Sequence, residues 1–384
     1  MIQSDLATAG PAAVTRRTAL FDSKRLYGTV AITLAWRFAI ALWGAYAHYL
    51  NPPLRRTHSL MQHGWPANPI TYLVDTGIRN DALWYARIAL HGYFYSSVHV
   101  SSIGFYPLYP LLIRLAIFVV GNVFVAGMLV SLFALLAAVV VFDSWMGDHG
   151  LNSERRRALL LLLAFPTAMF YSYMYSESLY LLLAIACFVA FERRRSDLST
   201  VVAFLLVLTR PTGLVIVPAL ILIAGLPHWR RWLAPVAGAV AAAGAFALYQ
   251  WREFGTALAY VNAKAVPPWH DTASQAVSDL MLHGRPGMPP SFLAFNLLIA
   301  LPFVVSIPFV YRRFGPGYAV FVGLSIILSA YGTLPGMNRY VIVLFPVFAL
   351  WGSIRPRALA ALLPLLLVSQ AFFVDLWVKG IGIF

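Results

Sequence analysis

Residues Arg79–Pro110 read RNDALWYARIALHGYFYSSVHVSSIGFYPLYP, and this stretch decides how the chain is understood. It is polar and aromatic, and hydrophobic spans flank it on both sides. A helix over Asp81–Leu90 places Ala82, Tyr85, Ala86 and Ala89 on one side, at i, i+3, i+4 and i+7. Trp84 and Tyr85 are of the types that favour a membrane–water interface. The spacing therefore predicts a short helix lying on the membrane with Asp81 in its first turn, where the helix dipole favours an ionised carboxylate. Spacing alone leaves two roles open for Asp81: a helix cap or a catalytic group.

Outward from that stretch, composition sets the class. The chain is 60% hydrophobic and 11% charged, against roughly 25% charged residues in soluble domains. This predicts an all-α polytopic membrane protein. The net charge of +14 then reflects basic cytoplasmic loops and does not call for nucleic acid. The single cysteine, Cys187, excludes an intrachain disulfide and a thiolate zinc site.

The expected topology follows from apolar runs and basic clusters. Residues 1–26 read as a cytoplasmic tail, and 27–384 as one transmembrane domain. Tyr27–Leu50 is the first span, long enough for a bilayer that needs about 20 residues. Residues 51–104 form a first outer loop with interfacial helices, and 251–290 a second. Phe105–Val120, opened by Pro107 and Pro110, reads as a surface helix or partial span. Val123–Trp145, Ala158–Tyr173 and Leu179–Phe191 follow as spans. Leu198–Leu226 has basic residues at both ends and is broken by Arg210-Pro211-Thr212-Gly213, which predicts a hairpin of two short helices. Ala234–Gln250, Phe292–Tyr311, Tyr318–Tyr331, Arg339–Trp351 and Leu359–Val378 complete about ten or eleven spans or partial spans. In this arrangement sixteen of the 28 Lys and Arg are cytoplasmic, which fits the positive-inside bias.

That orientation gathers the unusual residues outside: Asp81, Glu177, the segment with Trp269, His270 and Asp271, and Asn338-Arg339-Tyr340. Carboxylate, aromatics and arginine suit transfer of a sugar. The carboxylate takes a hydroxyl proton, rings stack on the sugar, and arginine holds a phosphate. Each residue also has a plainer reading. Glu177 caps the helix that follows. Arg339, Tyr106, Tyr109 and Trp269 anchor spans at the interface. Arg210 ties down carbonyls freed by the helix break, and Arg37 pairs with a carbonyl or reaches for the interface. No phosphate loop, dinucleotide fingerprint or H-E-x-x-H motif occurs in the sequence. A transporter or flippase of lipid-linked sugars is the second functional reading, and it predicts essential charges along a path through the bilayer.

The motifs Arg79-Asn80-Asp81-Ala82-Leu83-Trp84-Tyr85, Gly92-Tyr93 and Phe105-Tyr106-Pro107-Leu108-Tyr109-Pro110 resemble the first outer loop of PIG-V-like mannosyltransferases of the GT-C superfamily. The resemblance continues in Phe165-Pro166-Thr167-Ala168, Tyr175-Ser176-Glu177-Ser178-Leu179-Tyr180, Leu208-Thr209-Arg210-Pro211-Thr212-Gly213-Leu214, Phe254-Gly255 with Trp269, and Arg339-Tyr340 with Pro346. It keeps family order from Asp81 to Pro346. It implies a GT-C-like helical bundle and an inverting transferase that moves a sugar, typically mannose, from a polyprenyl-phosphate donor to a lipid or glycan acceptor on the outer face. It implies no metal and no cofactor. By the same resemblance Asp81 is the general base and Arg339 the first candidate to hold the donor phosphate. Arg210, Glu177, Tyr106, Tyr109, Trp269 and Tyr340 are further donor or acceptor contacts. The family often has an aromatic before the acid, where this chain has Asn80. The compact loops suit a bacterial plasma membrane, with membrane lipids as neighbours.

Overall fold

A computed structural model describes residues 23–50, 68–266, 290–333 and 336–380, and among these no strand occurs. The expectations on 1–22, 51–67 and 267–289, including Trp269, His270 and Asp271, lie outside the described residues. Among the described residues, five helices are long and apolar enough to cross a bilayer: α1 (Ser23–Leu50), α5 (Val123–Asp148), α10 (Trp229–Phe254), α12 (Pro290–Phe314) and α16 (Pro356–Val378). Apolar side chains cover much of their outer surface. Phe38, Leu298, Leu365 and Val368 are all exposed, as they are in a protein whose solvent is lipid. The chain is an integral membrane protein.

The other elements are short or broken, and they build the interior. Between α1 and α5 lie α2 (Pro69–Asp75) and α3 (Asp81–His91). Asn68 starts α2, its side chain accepting a hydrogen bond from the Thr71 amide at 2.9 Å. The buried face of α3 is Ala82, Tyr85, Ala86, Ile88 and Ala89, the predicted apolar side with Ile88 added. α4 (Leu108–Val120) is 13 residues long, about 20 Å, which agrees with a partial span. α6 (Arg155–Ala164), α7 (Glu177–Glu192), α8 (Ser196–Thr209), α9 (Ile216–Ala224) and α11 (Ala259–Lys264) follow, then α13 (Pro316–Thr333), α14 (Met337–Tyr340) and α15 (Phe345–Trp351). α7 is the central helix, buried along almost its whole length.

Two expected spans are interrupted. Ala158–Tyr173 stops as a helix at Ala164, and Ala168–Tyr171 forms a 3-10 turn. Pro166 lacks an N–H and disfavours the helical conformation at Phe165, whose ψ of 139° is extended. Arg339–Trp351 is likewise divided, with a 3-10 turn at Val341–Val343 ahead of Pro346. The Leu198–Leu226 hairpin forms as expected. α8 ends at Arg210, which is extended at φ −160°, and a 3-10 turn over Pro211–Val215 leads into α9. All three breaks are enclosed by protein, the condition under which irregular backbone persists at membrane depth.

The bundle has two chemically distinct ends. α7 runs from Glu177 to Glu192, and its far end carries Arg193, paired with Asp148 at 2.7 Å. At the same end Asp143 receives Arg25 at 3.1 Å and Arg155 at 2.8 Å. The basic clusters at 25, 155 and 193 thus share one end, and Glu177 opens the other.

Gly213 is required by the turn that joins α8 to α9. A Cβ there would lie 2.7 Å from the Leu206 carbonyl oxygen and 2.8 Å from the Val207 Cα. Overpacking of that kind costs roughly 1–3 kcal/mol. Gly213→Ala should therefore lower the thermal midpoint of the detergent-purified protein. Gly244→Ala, with nothing within 4 Å of the new Cβ, should leave it unchanged or slightly raised.

Candidate active site

Asp81 stands at the start of α3 because the backbone before it is clamped. Arg79 is buried and donates from Nη1 to the Val378 and Trp377 carbonyls at 2.6 and 3.2 Å, and from Nη2 to Asp75 Oδ2 at 3.3 Å. His48 Nδ1 lies 3.2 Å from the same Asp75 oxygen. The Tyr175 hydroxyl donates to the Arg79 carbonyl at 3.0 Å. Asn80 follows at φ 51°, ψ −109°, one of two described non-glycine residues with positive φ. Backbone in such a region is strained and persists where its surroundings over-determine it.

Asn80 is the residue that precedes the helix, and Asp81 does not act as a cap. Its carboxylate Oδ2 accepts from Arg339 Nη1 at 2.6 Å, across 258 positions of sequence. Arg339 Nε lies 3.1 Å from Glu177 Oε1, and Arg210 Nη2 lies 2.6 Å from the same oxygen. Glu177 is fully buried, and the capping role is excluded for it as well, since its oxygen bridges two guanidinium groups. Neither Glu177 oxygen is met by a well-aligned hydrogen bond, so the pairing is by charge and proximity.

A hydroxyl chain extends this cluster. Arg210 Nε donates to Ser176 Oγ at 3.0 Å, and the Tyr85 hydroxyl is 3.1 Å from the same atom. Burial pushes the Tyr85 phenol well above its usual pKa, so it stays a hydrogen-bonding neutral group. The reading of Arg210 as a tie for freed carbonyls is corrected: it faces Glu177 and Ser176. Arg37 takes the carbonyl role, donating to the Met128 carbonyl at 3.0 Å.

Aromatic rings wall the cations. The Arg339 guanidinium lies 5.1 Å from the Tyr340 ring centroid, 5.2 Å from Tyr175 and 5.8 Å from Phe170. Arg210 lies 5.1 Å from the same Tyr340 ring, and the Tyr340 hydroxyl accepts from Arg339 Nη2 at 3.1 Å. The site thus joins Asp81, Glu177, Arg210, Arg339 and Tyr340 of the expected set. Tyr106 stands beside it, its ring packed on Phe246 at 4.8 Å and Tyr260 at 5.1 Å. Tyr109 departs from expectation. Its hydroxyl is buried against α5, 2.6 Å from Ser131 Oγ and 3.1 Å from the Gly127 carbonyl, which makes it a packing residue.

Sequence reasoning passed over Lys264. Its ammonium lies 5.6 Å from the Phe105 ring centroid, and Tyr340, Asp81 and Arg339 all act on its charge. Burial pulls its pKa below the ordinary lysine value, partly offset by Tyr340 and Asp81. A signal existed: only three lysines accompany 25 arginines, and Lys264 falls in a polar stretch between apolar runs. With it, the described residues of the site include three cations and two carboxylates.

The family model described as Mannosyltransferase (PIG-V) matches residues 32–223. The chain belongs to the PIG-V mannosyltransferase family. The match takes in Asp81, Glu177 and Arg210, and it ends before Lys264 and Arg339. No curated protein matches the sequence. Among solved structures it is similar to the Archaeoglobus fulgidus oligosaccharyltransferase tethered with an acceptor peptide, at 12% identity and a TM-score of 0.46, covering 93% of this chain and 55% of that one. The apo form of that enzyme matches at 12% identity and a TM-score of 0.44, covering 91% of this chain and 56% of that one. The chain thus spans little more than half the length of these structures.

The strained residue before Asp81 makes a testable point. Asn80→Gly should leave the thermal midpoint near wild type, because glycine adopts positive φ freely. Asn80→Val should lower it, with a cost of roughly 1–3 kcal/mol, read by thermal unfolding of the purified protein.

Proposed function

We propose that this chain transfers a sugar, mannose by its family, from a polyprenyl-phosphate donor to an acceptor hydroxyl with inversion at the anomeric carbon. The observation that carries the reading is the 2.6 Å contact of Asp81 with Arg339, a carboxylate and a guanidinium brought together beside a second arginine and aromatic walls. An acid alone suits many chemistries. An acid next to two arginines suits a reaction in which one group takes a proton while a phosphate leaves.

The chemistry balances as follows. The acceptor hydroxyl gives its proton to Asp81 as its oxygen bonds to the anomeric carbon. The bond from that carbon to the phosphate oxygen breaks, and polyprenyl phosphate departs with an added negative charge. Arg339 stabilises that growing charge, and Arg210 and Lys264 add to the local positive field. Glu177 holds the two arginines in place, and Tyr340 and Tyr175 line the space beside them.

In this reading Asp81 is paired with Arg339 until the donor arrives. The phosphate then competes for the guanidinium, and the carboxylate is released to act as base. The concentration of arginines at positions 155–157 and 193–195 at the opposite end of the bundle supports an outer-face site, in a bacterial plasma membrane. A lipid or glycan hydroxyl is the acceptor.

The test is turnover of a panel of polyprenyl-phosphate sugars by purified protein, following donor consumption and transfer to added membrane lipids. Wild type should consume polyprenyl-phosphate mannose. Asp81→Asn should still bind it while turnover drops on the order of 10²–10⁴-fold. Equal turnover by both would remove Asp81 from the chemistry. Movement of intact donor across a bilayer, unaffected by Asp81→Asn, would favour a flippase.

A further inference from the structure

The end of the bundle opposite the ion cluster holds a cleft of about 430 Å³, lined by Arg194, Pro227, His228, Trp229, Arg230 and Arg231. We propose that this cleft binds the headgroup phosphate of an anionic phospholipid, whose acyl chains lie along α10. The cleft lies at the far end of α7 from Glu177. The 16 residues of that helix put about 24 Å between them, so it belongs to no part of the transfer chemistry.

Three features of the cleft point to an anionic ligand. Arg231 has its Nε shielded from solvent and without a hydrogen-bond partner, while its guanidinium lies 4.8 Å from the Phe191 ring centroid. An unsatisfied buried donor calls for an acceptor. Arg194 occupies positive φ, at 58°, just past the end of α7, where its amide bonds to the Phe191 carbonyl at 3.1 Å. Glycine is the usual residue in that conformation, so arginine is kept there against a backbone preference. Glu192, whose charge acts on Arg231, is already engaged, accepting from the Tyr318 hydroxyl at 2.7 Å and lying 3.5 Å from His149.

The surroundings of the cleft decide for a lipid over a soluble anion. The Arg230 guanidinium lies 5.5 Å from the Trp229 ring centroid, and Trp229 is half exposed. Trp with arginine is the pairing found where headgroups meet acyl chains. From Trp229 an exposed apolar lane runs along one face of α10 through Leu233 and Val240, at i+4 and i+11. It is about 16 Å long, comparable to an acyl chain. Leu222 and Leu226 are exposed beside its start. Basic pockets between membrane helices hold anionic headgroups by this combination.

The test counts bound lipid by native mass spectrometry of the purified protein titrated with phosphatidylglycerol or phosphatidylcholine. Wild type should bind phosphatidylglycerol at least about tenfold more tightly than phosphatidylcholine. The triple variant Arg194→Gln, Arg230→Gln, Arg231→Gln should lose that preference, and Arg312→Gln with Arg313→Gln should keep it. A large excess of inorganic phosphate should leave the bound phosphatidylglycerol in place. No preference in wild type, an unchanged preference in the triple variant, an equal loss in the Arg312 and Arg313 variant, or full displacement by inorganic phosphate would each overturn the proposal. None of these readouts depends on glycosyl transfer.

Discussion

A carboxylate with no access to solvent holds this molecule's site together. Glu177 Oε1 is shared by Arg210 at 2.6 Å and Arg339 at 3.1 Å. Arg210 left in the protein interior without that partner would be an uncompensated charge, an arrangement that costs several kcal/mol, and Arg339 would keep only Asp81. The bridge requires three elements at one place: the first residue of α7, the break after α8 and the short helix α14 that carries Arg339. The break at Arg210-Pro211 lets Arg210 leave the helical path and turn toward Glu177, and the protein around it encloses the irregular backbone.

The same cluster explains why Asp81 is both accessible and restrained. Its carboxylate is partly exposed, with 15% of the side chain open, yet it is tied to the cation proposed to receive the donor phosphate. On the proposed reading, donor binding and base release are one event, which protects the site from futile hydrolysis. The clamp on Arg79 and the strained backbone at Asn80 add a fixed starting geometry for that exchange. Behind them, Asp75 and His48 are buried with Arg79, so the loop entering α3 is as firmly held as the helices themselves.

Much of this was legible in the sequence, for identifiable reasons. The all-α membrane class came from composition. The face of α3 came from a period of 3.6, and the α8–α9 hairpin from basic residues at both ends of a Pro-Thr-Gly break. The site residues were legible one at a time, as charges out of place in an apolar chain. Their pairing was not, because Asp81 and Arg339 are 258 residues apart and no local pattern encodes such a contact. Two continuous spans were expected where Pro166 and Pro346 divide the helix, since apolar composition outweighed the proline in the reading. Tyr109 shows the opposite error. An aromatic within a motif looks like a ligand contact, and only its hydrogen bonds to Ser131 and Gly127 reveal a packing role. Lys264 sits in a short helix with little periodicity, and its approach to Phe105 and the cluster is a tertiary fact.

The measurement that bears most directly on the central claim is a structure of the protein with polyprenyl-phosphate mannose bound, determined by electron cryomicroscopy in a lipid nanodisc. Partner exchange predicts the donor phosphate on the Arg339 guanidinium, Arg210 still on Glu177, and the Asp81 carboxylate turned from Arg339 toward the anomeric carbon. A bound donor with the Asp81–Arg339 contact intact and its phosphate held away from both arginines would contradict it.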